Sequence, residues 1–131
     1  KIAVHVCFGN LHGRPFSPVR DYRNVFPILG DLRASQIVLE FANRGMEDPA
    51  RWKDFPRDKE LGAGVIDVKA FKSETAEDVA ERIRAFLPYI PPERLWLNPD
   101  CGFWETPRWV VRQKLAALCE GTRRVRAELG G

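Results

Sequence analysis

"GAGVIDVKAFKSETAEDVAERIRAFLPYIPPERLWLN", Gly62 to Asn98, contains a complete strand–helix–strand unit, and its reading decides the fold. "GAGVIDV", Gly62 to Val68, is a short apolar run with the character of a buried strand. In "SETAEDVAERIRAFLPYI", Ser73 or Thr75 stands as a helix cap, acids fill the first turn, and Val79, Ile83, Phe86 and Leu87 share one face. Prolines 91 and 92 then break the helical pattern, and "RLWLN", Arg94 to Asn98, is a second strand. Strands joined through a helix of this length lie parallel, with a right-handed crossover.

The same alternation extends in both directions. Upstream, "IAVHVCF", residues 2 to 8, reads as a buried strand that ends at the loop "GNLHG". From Val19 to Arg33, "VRDYRNVFPILGDLR" places Val19, Tyr22, Val25, Phe26 and Leu29 at helical spacing, with Pro27 and Gly30 expected to kink or shorten the helix. "SQIVLEF", Ser35 to Phe41, is another strand, and a polar loop with a short helix around Asp48 to Phe55 follows it. Downstream, "TPRWVVRQKLAALCEGTRRVRAEL" predicts a long helix with Thr106 as cap and Pro107 at the first helical position, running to about Leu129. The order is βαβαβαβα, with roughly thirty residues per unit. This is an α/β fold, a parallel sheet covered by helices, and such sheets carry their sites at the carboxyl ends of the strands.

With 131 residues and 44% hydrophobic content the chain suits one domain with its own core. Its 21 basic and 18 acidic residues interleave to a net charge of +3, so no stripe of one sign exists to track nucleic-acid phosphates. No apolar run reaches the ~18 residues of a membrane span, and no secretory signal pattern opens the chain, so a cytoplasmic location is expected. Cys7, Cys101 and Cys119 make no even disulfide framework and are expected to be reduced. The chain opens at Lys1, directly in a strand pattern and without an initiator Met, and is expected to be part of a longer polypeptide.

Strand parity sorts the candidate site. In the first strand Ala3, His5 and Cys7 share one face and Ile2, Val4 and Val6 the other. In the second, Ile37, Leu39 and Phe41 form the aliphatic set, which puts Glu40 on the opposite, inner face near the strand end. Asp67 ends the third strand beside Val65. Asp100 and Cys101 follow the fourth in "NPDCG". His5, Cys7, Glu40 and Cys101 have a natural common purpose in zinc, which takes imidazole, thiolate and carboxylate ligands in a tetrahedron, whereas Ca²⁺ or Mg²⁺ wants oxygen alone. A second reading stays open for each residue: Cys7 as a small buried hydrophobe, Glu40 as a salt-bridged strand acid, Asp67 as a cap or hydrogen-bond acceptor, His12 as a solvated loop residue. Cys119 is expected in the core, on a helix face shared with Leu115, Leu118 and Thr122.

"HVC", "IVLEF", "GAGVIDV" and "LWLNPDCGF", in that order, resemble the C-terminal half of the catalytic barrel of cobalamin-independent methionine synthases and their shorter single-barrel relatives. The resemblance implies a (β/α)8 barrel of which this chain supplies about four βα units, with the other half, or a second chain, as its partner. It implies a catalytic Zn²⁺ held by His5, Cys7, Glu40 and Cys101, and methyl transfer from a methyl-folate to homocysteine to make methionine. A related thiol alkyltransfer with a methyl-corrinoid donor, and a non-catalytic zinc-binding half-barrel, are the alternatives. Where long family members carry a histidine linked to protonating the folate leaving group, this chain has Lys69, either a substitute acid or anion contact or an ordinary exposed lysine. Asp67 and Asp100 are expected to support the ligands or meet the substrate amine. Glu40, the hardest ligand, is expected to yield to the incoming thiol. A half-barrel standing alone is expected to leave its first and last strands unpaired and its inner face open.

Overall fold

The computed structural model describes residues 1–18, 21–47 and 49–131. Four strands, β1 (Ala3–Val6), β2 (Gln36–Glu40), β3 (Glu60–Ile66) and β4 (Leu95–Pro99), form one parallel sheet in the order β1-β2-β3-β4. Three helices alternate with them: α1 (Phe26–Asp31), α2 (Ala76–Arg84) and α3 (Arg108–Glu128). The βα alternation read from the sequence is therefore present, and each strand pairs with its neighbour in sequence, as right-handed crossovers arrange in a barrel wall.

Parity works as expected on the helix-facing side of β2 and β3, but β1, expected as a buried strand, is an exposed edge in which Val4 and Val6 are only half-buried and Ile2 is exposed, because no strand covers its outer side among the described residues. Ile37, Leu39, Leu61, Ala63 and Val65 are buried and pack with Val79, Ile83, Phe86 and Ile90 in one apolar cluster. Helix α2 begins in a reciprocal capping box: the Asp78 N–H donates to Thr75 Oγ1 at 3.1 Å and the Thr75 N–H to Asp78 Oδ2 at 2.8 Å. Of the two candidate caps, Thr75 is the one used. The helix ends at Arg84, and turn hydrogen bonds carry the chain on to Ile90.

Three expectations need correction. The helix expected from Val19 to Arg33 is only Phe26–Asp31, because Pro27 sits in its first turn and fixes its start; Val19 lies outside the described residues. The short helix expected near Asp48 is a 3₁₀ segment, Pro49–Asp54, and Asp48 is likewise outside the described residues. Helix α3 starts one residue late, with Pro107 in extended conformation at the cap position and Thr106 making a turn to the Phe103 carbonyl.

The face of α3 that packs inward is also different from the one expected. It consists of Val110, Lys114, Ala117, Gly121 and Val125, while Leu115 and Cys119 are exposed. Gly121 sets this rotation: a Cβ there would come within 2.7 Å of both the Ala76 carbonyl oxygen and Val79 Cβ, so α2 and α3 touch backbone to backbone. Cys119 instead lines an open apolar groove with Leu87, Leu97 and Leu118 at the β4 side of the sheet. Beyond β1 and β4 no strand is paired among the described residues, as expected for a half-barrel. No helix is long and apolar enough to cross a membrane, among the described residues.

Candidate metal centre

The inner face of the sheet is built around missing side chains. At Gly62 a Cβ would meet Val38 Cγ2 at 2.8 Å, and at Gly64 it would meet Asp100 Oδ1 at 2.2 Å. These two glycines let the neighbouring strands lean across β3. A flat sheet would hold β1 and β4 three strand spacings apart, about 14 Å. Yet Cys7 Sγ, just after β1, lies 3.5 Å from Cys101 Sγ, just after β4. The sheet is thus strongly curled and its last loop folds back, tied by the Asn10 Nδ2 donation to the Gly102 carbonyl at 2.7 Å.

The curl collects four side chains. His5, Cys7, Glu40 and Cys101 each offer one ligand atom, and these atoms all lie within 4.8 Å of one another. Cys7 Sγ is 3.2 Å from Glu40 Oε1. The His5 Nδ1–H donates to the Val38 carbonyl at 3.1 Å, which selects the tautomer whose free Nε2 can hold a metal. The Gly9 N–H donates to Cys7 Sγ at 3.1 Å, an interaction that favours a thiolate. Cys7 is exposed, yet partial desolvation pushes its thiol up; Gly9 opposes the rise, and Glu40 and Cys101 add to it. A cation among these groups would reverse that balance.

The donor set fits zinc. Two sulfurs about 2.3 Å from a tetrahedral zinc stand ~3.8 Å apart, close to the Cys7–Cys101 separation, and one imidazole and one carboxylate complete four ligands.

The other residues singled out in the sequence lie around this group rather than in it. Asp100 is fully buried and acts as a clamp on the turn after β2: Oδ1 accepts the N–H groups of Phe41 and Ala42 at 2.9 and 3.0 Å, and Oδ2 accepts Asn43 N and Nδ2 at 2.7 and 2.6 Å. Burial raises its carboxyl to about 6 against the pull of those donors, and its four partners are all N–H groups, the set that a carboxylate accepts. Asp67 Oδ1 accepts the Lys69 N–H at 2.8 Å and so shapes the loop after β3. Lys69 is no ordinary exposed lysine: its side chain is 6% exposed and its Nζ lies 2.9 Å from Glu40 Oε1. His12 stays on the surface, as expected, paired with Glu105.

Three supporting residues were not visible in the sequence. Tyr22 is buried and bridges two strands, donating to the Val6 carbonyl at 3.2 Å and accepting the Glu40 N–H at 2.7 Å. Asn43 touches Glu40 Oε2 at 3.3 Å as well as Asp100. Arg44, also buried, stacks its guanidinium on Tyr22, 4.6 Å from the ring centre. The polar "ANRG" directly after a buried strand was the available signal for the last two.

A curled, parallel half of a βα barrel with two thiols, an imidazole and a carboxylate gathered at its strand ends defines a class, the α/β-barrel proteins with a group of side chains that could hold a metal. The family model for the catalytic domain of cobalamin-independent synthase matches residues 1–123, and the chain belongs to that family. It is 41% identical over 129 residues to a methionine synthase of Saccharolobus islandicus and 38% identical to one of Sulfurisphaera tokodaii. Each alignment covers 98% of this chain, but only 36% and 34% of those proteins' length, so the chain spans about a third of each. Among solved structures it superposes on a B12-independent methionine synthase from Shewanella sp. W3-18-1 with a TM-score of 0.83 and 33% identity, covering 97% of this chain and 39% of that one. A Listeria monocytogenes protein at 20% identity and TM-score 0.52 shares the fold. The half-barrel architecture expected from the sequence is thereby established.

Proposed function

We propose that residues 1–131 form a single domain, the C-terminal half of a (β/α)8 methyltransferase barrel. In this reading the complete protein transfers a methyl group to a homocysteine-like thiol, giving methionine, with zinc as its metal, a methyl-folate as donor and the cytoplasm as its location. The observation that carries the reading is the convergence of His5, Cys7, Glu40 and Cys101 within 4.8 Å, in a chain of this family. The Shewanella structure holds selenomethionine, the selenium counterpart of the product, which supports the acceptor. The open edges of β1 and β4 are where the other half of the barrel, or a second chain, packs.

Zinc held by these residues supplies the Lewis acidity that deprotonates a substrate thiol, otherwise only roughly 3% thiolate at pH 7. The protein's part is to hold the ligands ready. Val38 fixes the His5 tautomer, Gly9 donates to the Cys7 sulfur, and Asp100 clamps the turn that follows Glu40. Leu11, Phe16 and Trp104 wall an open cleft beside Cys7 and Cys101, apolar ground on which a methyl donor can lie with water reduced.

One observation favours a second reading of the donor. The Lys69 ammonium is committed to Glu40, which leaves it poorly placed to protonate a folate leaving group and points to a methyl-corrinoid. The test has two parts. Zinc analysis of the complete protein beside its Cys101→Ser variant should give near-stoichiometric metal in the first and loss in the second; a wild-type protein without zinc refutes the reading. Methionine formation is then compared with methyl-folate and methyl-corrinoid as donors, and failure with both refutes the methyl transfer.

A further inference from the structure

The Lys69 ammonium lies directly on the carboxylate of a candidate ligand, and the loop that carries it is built to keep it there. Its backbone N–H is held by Asp67. Its carbonyl oxygen lies under Gly13, where a Cβ would approach to 3.3 Å and where φ is +74°, so the loop after β1 rests on the loop after β3. The ammonium then reaches Glu40 Oε1, the same oxygen that faces Cys7 Sγ. Glu40 is fully buried and the Lys69 side chain nearly so, and a buried charge pair in such surroundings interacts strongly.

Charge counting gives the consequence, and it rests on the zinc reading above. Two thiolates and a carboxylate around a divalent cation leave one net negative charge, and Lys69 cancels it. We propose that Lys69 is a positioning residue that acts on the metal through Glu40: by sharing the carboxylate it keeps Glu40 the weakest donor of the four. It also gives that carboxylate a charged partner whenever another ligand takes its place. Asp67 acts one step further back, by setting the Lys69 backbone. Without the ammonium, Glu40 is a buried carboxylate with no countercharge at that oxygen, and the metal becomes its best available partner.

The experiment is chelator competition for Zn²⁺ on the complete protein, with Co²⁺ absorption spectra of the same variants to report the ligand set. Lys69→Met should hold zinc at least about tenfold more tightly, ~1.4 kcal/mol, while Lys69→Arg, which keeps the charge, should stay within about threefold of wild type. Homocysteine should perturb the Co²⁺ spectrum less in Lys69→Met than in wild type, because Glu40 is held harder. In a Glu40→Gln background the Lys69→Met change should vanish. Affinity in Lys69→Met equal to or weaker than wild type overturns the proposal, as does tightening that persists undiminished with Glu40→Gln. Should Lys69→Met fold poorly, Lys69→Gln reads the same shift. A wild-type protein that takes up no zinc refutes the functional reading itself, whereas full zinc in wild type with no effect of Lys69→Met refutes this inference alone.

Discussion

Replacing Gly64 by alanine tests how the site is supported, because the missing side chain makes room for Asp100. A Cβ at residue 64 would stand 2.2 Å from Asp100 Oδ1, against the 3.4 Å at which ordinary contact begins, and 2.7 Å from Asp100 Cα. Rotating the aspartate cannot relieve a clash with its own Cα, so β4 must move away from β3 or Asp100 must leave its donors. Overpacking of this kind costs ~1–3 kcal/mol. Loss of the Phe41 and Ala42 donations to Oδ1 adds ~1.5–3 kcal/mol for each bond to a charged group, less what water recovers. A total of about 4 kcal/mol is expected, and zinc affinity should fall with it, since the clamped turn begins at the residue after Glu40. The assay is chemical denaturation of the zinc-loaded complete protein, with chelator competition alongside. Gly102→Ala, where an added Cβ meets nothing within 4 Å, is the control and should be neutral in stability. A Gly64→Ala protein within ~0.5 kcal/mol of wild type and unchanged in zinc affinity refutes the account of Asp100 as a clamp.

Gly121→Ala should wedge α2 from α3 and cost ~1–3 kcal/mol in the same denaturation assay, while zinc affinity stays at the wild-type value; coupled loss of both would contradict the separation of helix packing from the site. Glu74 sets an acid limit. Burial raises its carboxyl, but Lys114, the Asp67 N–H and Arg82 outweigh that and leave it below the usual carboxylate value. Its contribution is therefore fully present above the unfolded value of about 4.5 and is lost as pH falls through the depressed folded value. Stability measured from pH 7 downward should drop in that window, and Glu74→Gln should be less stable at pH 7 and flatter below pH 5; an unchanged profile contradicts the assignment.

The helix-strand alternation, and which strand-end side chains share the inner face, were legible because both depend on short-range chemistry. Period-2 parity put His5 with Cys7 and Glu40 opposite Leu39, and the buried aliphatic face of β2 then followed. What stayed hidden depends on distances between elements. Nothing in "TPRWVVRQKLAALCEG" says that Gly121 will press against Ala76, so Cys119 read as core when the real rotation of α3 turns it outward. Lys69 was equally opaque, since an exposed lysine and a buried one have the same local sequence. Its role emerges only once β2 and β3 are side by side, with the Asp67 carboxylate bending the loop back. Asp100 read as a polar strand-end group; that it binds three backbone N–H groups of the turn after β2 requires Gly64 to be seen as a space.

The placement of ligands across the sheet leads to one more expectation. His5 belongs to the first strand, Cys7 follows it directly, and Cys101 lies in the loop after the last, so a metal bound by all of them would staple the two edges of the curled sheet. Among the described residues, the loop after β1 is tied to the loop after β4 by the Asn10 donation to Gly102 and by the His12–Glu105 pair, the latter exposed and therefore weak, whereas Asp100 ties the end of β4 to the turn after β2. Chelating zinc from the complete protein should leave it folded but less stable, by up to ~4 kcal/mol if free zinc stands a thousandfold above its dissociation constant. The loss should also be local. Amide hydrogen exchange should quicken across residues 5 to 13 and 100 to 105 while α2 and the centre of α3 keep their protection, because the capping box is closed between Thr75 and Asp78 and Gly121 packs on Ala76 and Val79, none of them a candidate ligand. Exchange that rises evenly over all three helices, or not at all, would mean that the sheet curls by its own packing and that the metal site merely occupies a shape already made.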